Sequence, residues 1–220
     1  MEDAIALRVM QRVSIGYVPL RDYALEAGGA KVIPQFTTPD HVSRGIFRSW
    51  YSPSAKVKKH PPNIALTEDL GHGSCWRFEG KSGYLGIALI EPVYITRLTI
   101  DHISRTTTSD IALAPRRMVL WGLVEGKEEY DSLRHLRRED SPVNSSFITS
   151  AAPLPSHQGW IPLSSFTYDI HADFHIQTFS VWDRPQELGI EFGVVVLEVL
   201  DNWGANATCL YRVRVHGDGR

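Results

Sequence analysis

Long apolar runs are missing from this 220-residue chain. None approaches the ~18 residues that a membrane-spanning helix needs. An excess of either charge is missing too. The 23 Lys and Arg against 25 Asp and Glu leave a formal net charge of −2, without the basic surplus that a nucleic-acid binder normally carries. The opening Met1-Glu2-Asp3 lacks the basic and apolar regions of a secretory signal peptide. If the native protein is secreted or anchored, this chain is expected to be an excised piece of it. Cysteine is scarce: Cys75 and Cys209 are the only two. They form one disulfide or remain two unrelated thiols, and the count does not decide. Apolar content is ordinary, enough for a sizeable core in one large β-domain or two small domains.

Two sequons, Asn144-Ser145-Ser146 and Asn206-Ala207-Thr208, suit passage through the secretory lumen. There an oxidising environment favours a Cys75–Cys209 bridge.

Periodicity predicts a short helix over 3–13, with Ile5 and Val9 on one face. A second is predicted over 22–27, with Asp22 near its start and Gly28-Gly29 ending it. Residues 34–62 are rich in Pro, Ser and Lys. They still carry Ile46-Phe47 and Trp50-Tyr51, which makes them a loop or hairpin with something apolar to bury. From Trp76 onward the pattern becomes strand-like: 83–89, 95–102, 118–123, 174–182, 192–200 and 209–215. In the last of these Val213 and Val215 alternate with Arg212 and Arg214, as in a half-buried strand. Many short strands punctuated by Gly and Pro predict an all-β antiparallel sandwich. The connector over 124–163 is long for a compact domain. Its first part, 125–140, is highly charged and suited to a helix, and its second part is rich in Ser, Pro and Ala. It is expected to be a surface insertion, partly mobile.

Several constellations invite chemistry. Gly71-His72-Gly73-Ser74-Cys75 pairs a His with a Cys, but catalytic pairs are made in space, and a structural disulfide or buried thiol is the better reading. Asp169, His171, Asp173 and His175 would share one face of a continuous strand and offer a metal array. A hairpin turn at the same place breaks that face. The basic cluster Arg134, His135, Arg137 and Arg138 lies beside Glu128, Glu129, Glu139 and Asp140, as on a solvated surface. Trp76, Trp121 and Trp203 are expected in the core. Trp50 and Tyr51 are candidates for a contact surface. Nothing supplies an acid, a base and an oxyanion site together, so an enzyme is not expected.

Taken in order, the motifs resemble a C-terminal SUN (Sad/UNC homology) domain, in a divergent, fungal-like form. The resemblance rests on Asp22-Tyr23-Ala24-Leu25-Glu26-Ala27-Gly28-Gly29-Ala30, then Cys75-Trp76-Arg77-Phe78-Glu79-Gly80 with Gly83-Tyr84. It continues through Ala114-Pro115-Arg116 and Phe166-Thr167-Tyr168-Asp169. It ends on Asn202-Trp203-Gly204 and Thr208-Cys209-Leu210-Tyr211-Arg212-Val213-Arg214-Val215-His216-Gly217. It implies a discoidin-like or jelly-roll β-sandwich over 22–217, preceded by a helical lead-in over 1–21. The implied setting is the perinuclear space of the nuclear envelope, as the luminal part of an inner-nuclear-membrane protein whose transmembrane segment is not in this chain. The implied partner is the C-terminal tail of a KASH protein, gripped by a homotrimer and a lid near 41–61 that carries Ile46 and Phe47. With so little coiled coil, the chain alone is expected to be a monomer or weak oligomer. The lid and tail are expected to pair by strand addition.

By the same resemblance, Cys75 and Cys209 form the disulfide that pins a cation loop over 64–75. That loop would hold potassium or sodium largely with backbone carbonyls, with Ile64, Asp69, Ser74 and Tyr211 at the site. Thr67 and Ser74 replace larger amides there. His102 matches a pocket histidine. Thr37 replaces a cysteine that in some members bonds covalently to the tail. Leu113 replaces a pocket serine and Ala207 a pocket tyrosine, both donors to the tail's terminal carboxylate. A glycan on Asn206 would sit beside that pocket. A glycan-binding module, with Trp50, Tyr51 or Trp160 lining a groove, and a self-assembling structural domain are the competing readings.

Overall fold

The computed structural model describes residues 20–39, 61–108, 110–140 and 159–219, and of 137–140 the helical backbone only. The expected helix over 3–13, nearly all of the lid-like region with Ile46, Phe47, Trp50 and Tyr51, and the sequon at Asn144 lie outside the described residues.

Nine strands are described: β1 (Lys31–Val32), β2 (Trp76–Glu79), β3 (Gly83–Asp101), β4 (Arg117–Val124), β5 (Gly159–Thr167), β6 (Ile176–Ser180), β7 (Phe192–Val199), β8 (Ala207–Leu210) and β9 (Arg212–Asp218). All their pairings are antiparallel. The two segments expected at 83–89 and 95–102 are one strand, β3. Its register shifts between Ala88 and Val93, and its two halves serve different layers. The first half pairs with β1 and β7, in the order β1-β3-β7-β4-β5. The second half pairs with β6 on one side and β9 on the other. A strand that bends from one layer into the next is how a sandwich turns its corner.

Alternation along each strand fills the space between layers. Met118 and Leu120 of β4, Val195 and Leu197 of β7, and Leu98, Ile100, Val213 and Val215 from the other layer share one buried cluster. The intervening residues Val119, Trp121 and Val196 join Trp160 in a separate cluster on the opposite face of the larger sheet. Gly122 lets that sheet pack closely, since a β-carbon there would lie 2.5 Å from the Phe192 ring.

Three expectations change. The predicted helix at 22–27 is a turn followed by one 3-10 turn, Glu26–Gly28, closed by Gly29 with a positive φ of 113°. The strand expected over 174–182 is only Ile176–Ser180, and Phe174 is exposed. The run over 209–215 falls in two strands, because Tyr211 lies between the end of β8 at Leu210 and the start of β9 at Arg212. The insertion is also less peripheral than its charge suggests. Its helix, α1 (Lys127–Asp140), seats Leu133 fully in the core, with Tyr130 and Leu136 packed beside it. Burying one leucine stabilises by roughly 1.5–3 kcal/mol, so α1 is part of the domain. A four-residue helix, α2 (Arg184–Glu187), follows β6.

Candidate functional site

One end of the sandwich gathers the expected site residues. β3 ends at Asp101, and His102 follows it into the interior with 2% exposure. The imidazole lies edge-on to Tyr211 at 4.7 Å and tilted against Tyr168 at 5.8 Å. Its Nδ1 lies 3.1 Å from the Ile103 carbonyl. A carbonyl only accepts, so Nδ1 carries the proton and Nε2 is left with a lone pair. Nε2 is buried and has no hydrogen-bond partner among the described residues. Burial, and secondarily His175, hold the His102 pKa below its ordinary value, against the pull of the Ile103 carbonyl. Tyr168 donates to the His175 carbonyl at 2.9 Å. Burial first, then Asp101 and Asp169, push its phenol pKa upward.

Beside this ring cluster sits a small apolar one. Cys75, Ile103, Cys209 and Tyr211 are its buried members, and Leu70 and Leu113 pack against it. Cys75 and Cys209 form a disulfide between residues 134 apart. It joins the residue just before β2 to β8, and the β2–β8 register sets Arg77 opposite Cys209 and Glu79 opposite Ala207. Leu113 closes the 3-10 turn Ile111–Leu113, for which Asp110 accepts the Ala112 N–H. Thus His102, through Tyr211, and Leu113 border one disulfide-pinned corner, and β8, which starts at Ala207, packs against the turn that carries Leu113. Of the His102, Leu113 and Ala207 side chains only that of His102 is polar.

The loop preceding Cys75 is held by its own hydrogen bonds. Asp69 Oδ1 accepts the Gly71 N–H at 2.8 Å, and the Gly71 carbonyl accepts the Ser74 N–H at 2.9 Å. The Tyr211 hydroxyl accepts the Gly73 N–H at 3.2 Å, where Gly73 has a φ of +77°. The Ile64 carbonyl accepts both the N–H and the Oγ1–H of Thr67, at 3.2 and 2.9 Å. Those two bonds occupy both of its lone pairs. Among the described residues no group of three or more His, Cys, Asp or Glu converges as a metal site. The same absence answers Asp169, His171, Asp173 and His175. They occupy a turn, with His171 N–H donating to Asp169 Oδ1 at 2.8 Å, and share no strand face.

Hydrogen bonding accounts for Thr37, and burial for Trp160. Thr37 is engaged within the fold: its Oγ1 donates to the Ile33 carbonyl at 2.8 Å and accepts the Gly86 N–H at 3.0 Å. Trp160 is buried edge-on against Phe36 and offers no exposed platform for a sugar ring. Trp76 and Trp121 are core residues as expected, whereas Trp203 is half-buried under the Arg116 guanidinium.

Sequence reasoning missed two buried polar assemblies. Glu198 accepts the Trp121 indole N–H at 2.8 Å on the outer face of the large sheet. Burial raises its carboxyl pKa, against the lowering effect of bonds to Trp121 and Tyr84. A lone Glu inside the apolar run 194–200 was the available signal, since buried carboxylates are almost always partnered. His216, fully buried, bridges Thr99 Oγ1 at 2.8 Å and the Arg21 carbonyl at 3.0 Å. Near it Arg214 grips Asp101 at 2.7 Å and Arg212 reaches Asp22 at 3.0 Å.

Burial depresses the His216 pKa most, and Arg214 adds to this. The Arg21 carbonyl, Asp22 and Asp101 pull it back up. The unfolded chain binds the proton that the folded one refuses, so this contribution is whole above about pH 6.5 and is lost as pH falls from there through the depressed folded value. Glu198 has the opposite sign, regaining stability as pH falls. The urea midpoint of the wild type is expected to drop between about pH 7.5 and about pH 5.5, and by less in His216→Gln. An equal drop in both would remove His216 as the cause.

The Sad1 / UNC-like C-terminal family model matches residues 55–141 and 132–219. The chain belongs to that family: it is a SUN domain. It is 28% identical over 218 residues to sperm-associated antigen 4 protein of Rattus norvegicus, covering 98% of this chain and 42% of that one. It is 27% identical over 216 residues to SUN domain-containing protein 1 of Homo sapiens, covering 97% and 23%. The chain thus spans less than half the length of either relative. Among solved structures, the family 32 carbohydrate-binding module of Streptococcus pneumoniae EndoD superposes with a TM-score of 0.53 at 14% identity, covering 90% of this chain and all of that one. A CBM32 module of Clostridium perfringens gives 0.52 at 8% identity, covering 89% and 96%. These likenesses establish the discoidin-like sandwich and nothing of ligand.

Proposed function

We propose that this chain is the luminal, non-enzymatic SUN domain of a nuclear-envelope protein, and that it binds the C-terminal tail of a KASH-type partner across the perinuclear space, as part of a homotrimer. The observation that carries this reading is the disulfide-pinned corner bordered by His102 and Leu113, with Ala207 at the start of β8, in a chain of this family. The same corner supports a departure from the family pattern of binding. Leu113 and Ala207 have no donor for a terminal carboxylate, and His102 offers a buried lone pair in place of a proton. Tail recognition therefore rests on strand addition. Labelled tail peptides from KASH-like proteins of the same organism, with free and with amidated C-termini, test this. Both forms are expected to bind weakly and alike. Tight binding abolished by amidation would overturn the altered-pocket reading, and no binding to a confirmed trimer would overturn tail binding itself.

The loop over 64–75 is proposed to hold potassium or sodium chiefly through main-chain oxygens, with Asp69 and Ser74 at its rim. Ile64 and Tyr211 complete the proposed set, and the Ile64 carbonyl also accepts both donors of Thr67. Replacing potassium chloride by a bulky organic ammonium chloride at equal ionic strength is expected to lower the thermal midpoint, since an ion bound only by the folded state stabilises it. An unchanged midpoint in both potassium and sodium would count against the site.

A further inference from the structure

We infer that Asn206 is an N-glycosylation site open only while the chain is unfolded, and that closure of the Cys75–Cys209 disulfide shuts it. An acceptor sequon is read through two groups, the Asn amide and the hydroxyl two residues on. In the fold these two have opposite fates. The Asn206 side chain is exposed, and among the described residues no hydrogen bond holds its amide. Thr208 is fully buried. Its Oγ1 donates to the Gly80 carbonyl at 3.0 Å and lies 3.1 Å from the Asn202 Nδ2 donor. The peptide backbone of the sequon is engaged as well. The Asn206 carbonyl accepts the Gly80 N–H at 2.9 Å, and Ala207 and Thr208 pair with Glu79 and Phe78 in the β2–β8 ladder.

A glycan already on Asn206 projects into solvent and leaves the fold intact. A folded sequon, by contrast, presents no hydroxyl to a transferase. The modification therefore precedes β2–β8 pairing. Cys209 is the residue immediately after Thr208, so oxidation to the disulfide fixes β8 against β2 and draws the hydroxyl in. Oxidation and glycosylation compete for the same unfolded segment. In the transfer, Asn206 Nδ2 attacks the anomeric carbon of a polyprenyl-diphosphate-linked oligosaccharide. The N–C bond forms as the bond to the diphosphate oxygen breaks. The polyprenyl diphosphate leaves with the electron pair, and Nδ2 gives up one proton to the transferase base. The product sits at the start of β8, next to Ala207 and the turn that carries Leu113.

The test is expression of the whole chain behind a cleavable signal peptide in a eukaryotic secretory pathway, with Asn144→Gln to remove the other sequon. Occupancy at Asn206 is read by endoglycosidase-sensitive mobility and by mass spectrometry. Partial occupancy is expected for the parent, none for Asn206→Gln, and a rise in Cys75→Ser. Leu85→Ala, which weakens the core and keeps both cysteines, separates disulfide closure from slow folding: its rise is expected to be the smaller. Purified, oxidised parent protein added to detergent-permeabilised microsomes is expected to stay unmodified, and the same protein reduced and unfolded to be modified. Absence of glycan from every variant would overturn the site, and equal occupancy in Cys75→Ser and the parent would overturn the gating. The signal peptide imposes the compartment, so failure of tail binding leaves this inference standing, and its own failure leaves tail binding untouched.

Discussion

Replacing Cys75 and Cys209 together by Ser is expected to cost about 4–5 kcal/mol, because the chain-entropy cost of an open loop grows with the length that the bond closes. The bond spans 134 residues and encloses most of the sandwich, from the start of β2 to the end of β8. Few single changes reach this size, and total stabilities of about 5–15 kcal/mol make it a large fraction of the whole. For a domain of this length the thermal midpoint should fall by roughly 10–15 °C. Urea curves for the parent and the double variant check the number. A loss below about 1 kcal/mol would mean that residual structure already keeps the two ends together in the unfolded chain. The effect should vanish in reductant, where the parent loses the same cross-link.

The second large effect concerns the tail. Supplying the missing donors with Leu113→Ser and Ala207→Tyr is expected to tighten free-carboxylate peptides by about 100-fold to 10,000-fold, since each hydrogen bond to a charged group contributes about 1.5–3 kcal/mol. Amidated peptides should gain little, and that difference separates restored carboxylate recognition from a general increase in stickiness. Leu113 is only half-buried, so its truncation should leave the domain folded. A double variant that stays folded and gains nothing for the free carboxylate would place the tail terminus away from this corner.

How far the sequence disclosed this structure depends on which interaction decides each element. Strands with strict alternation, such as Val213 and Val215 against Arg212 and Arg214, were legible because one face is core and the other is polar. The unity of β3 was not. Ile90-Glu91-Pro92 reads as a break, and only pairing with four different strands shows that the chain continues through a bend. The helix of the insertion was legible from its charge, but Leu133 amid Arg and Asp gave no sign of its full burial. At the site, the disulfide was legible through family resemblance, and the place of His102 at a strand end from the apolar run before it. The engagement of Ile64 by Thr67 was not, since it depends on the local 3-10 geometry of Pro62–Leu66. Trp160 gave no warning of its burial, because an aromatic in a strand looks the same in sequence whether it lines a groove or seals a sheet.

The path of β9 has a mechanical consequence. Its first residue adjoins Tyr211 and the disulfide, while farther along the Val215 carbonyl holds the Tyr23 N–H at 2.8 Å and His216 holds the Arg21 carbonyl. A pull applied at the His102 corner and resisted at Arg21 therefore runs along β9 instead of across it. The ladder from Asp101↔Arg212 to Tyr94↔Asp218 is then loaded in shear, so its hydrogen bonds must yield together and not one after another. The Asp101–Arg214 ion pair and the Thr99–His216 bond cross that same seam as side-chain rivets. In this geometry the strand that closes the sandwich is also its tether.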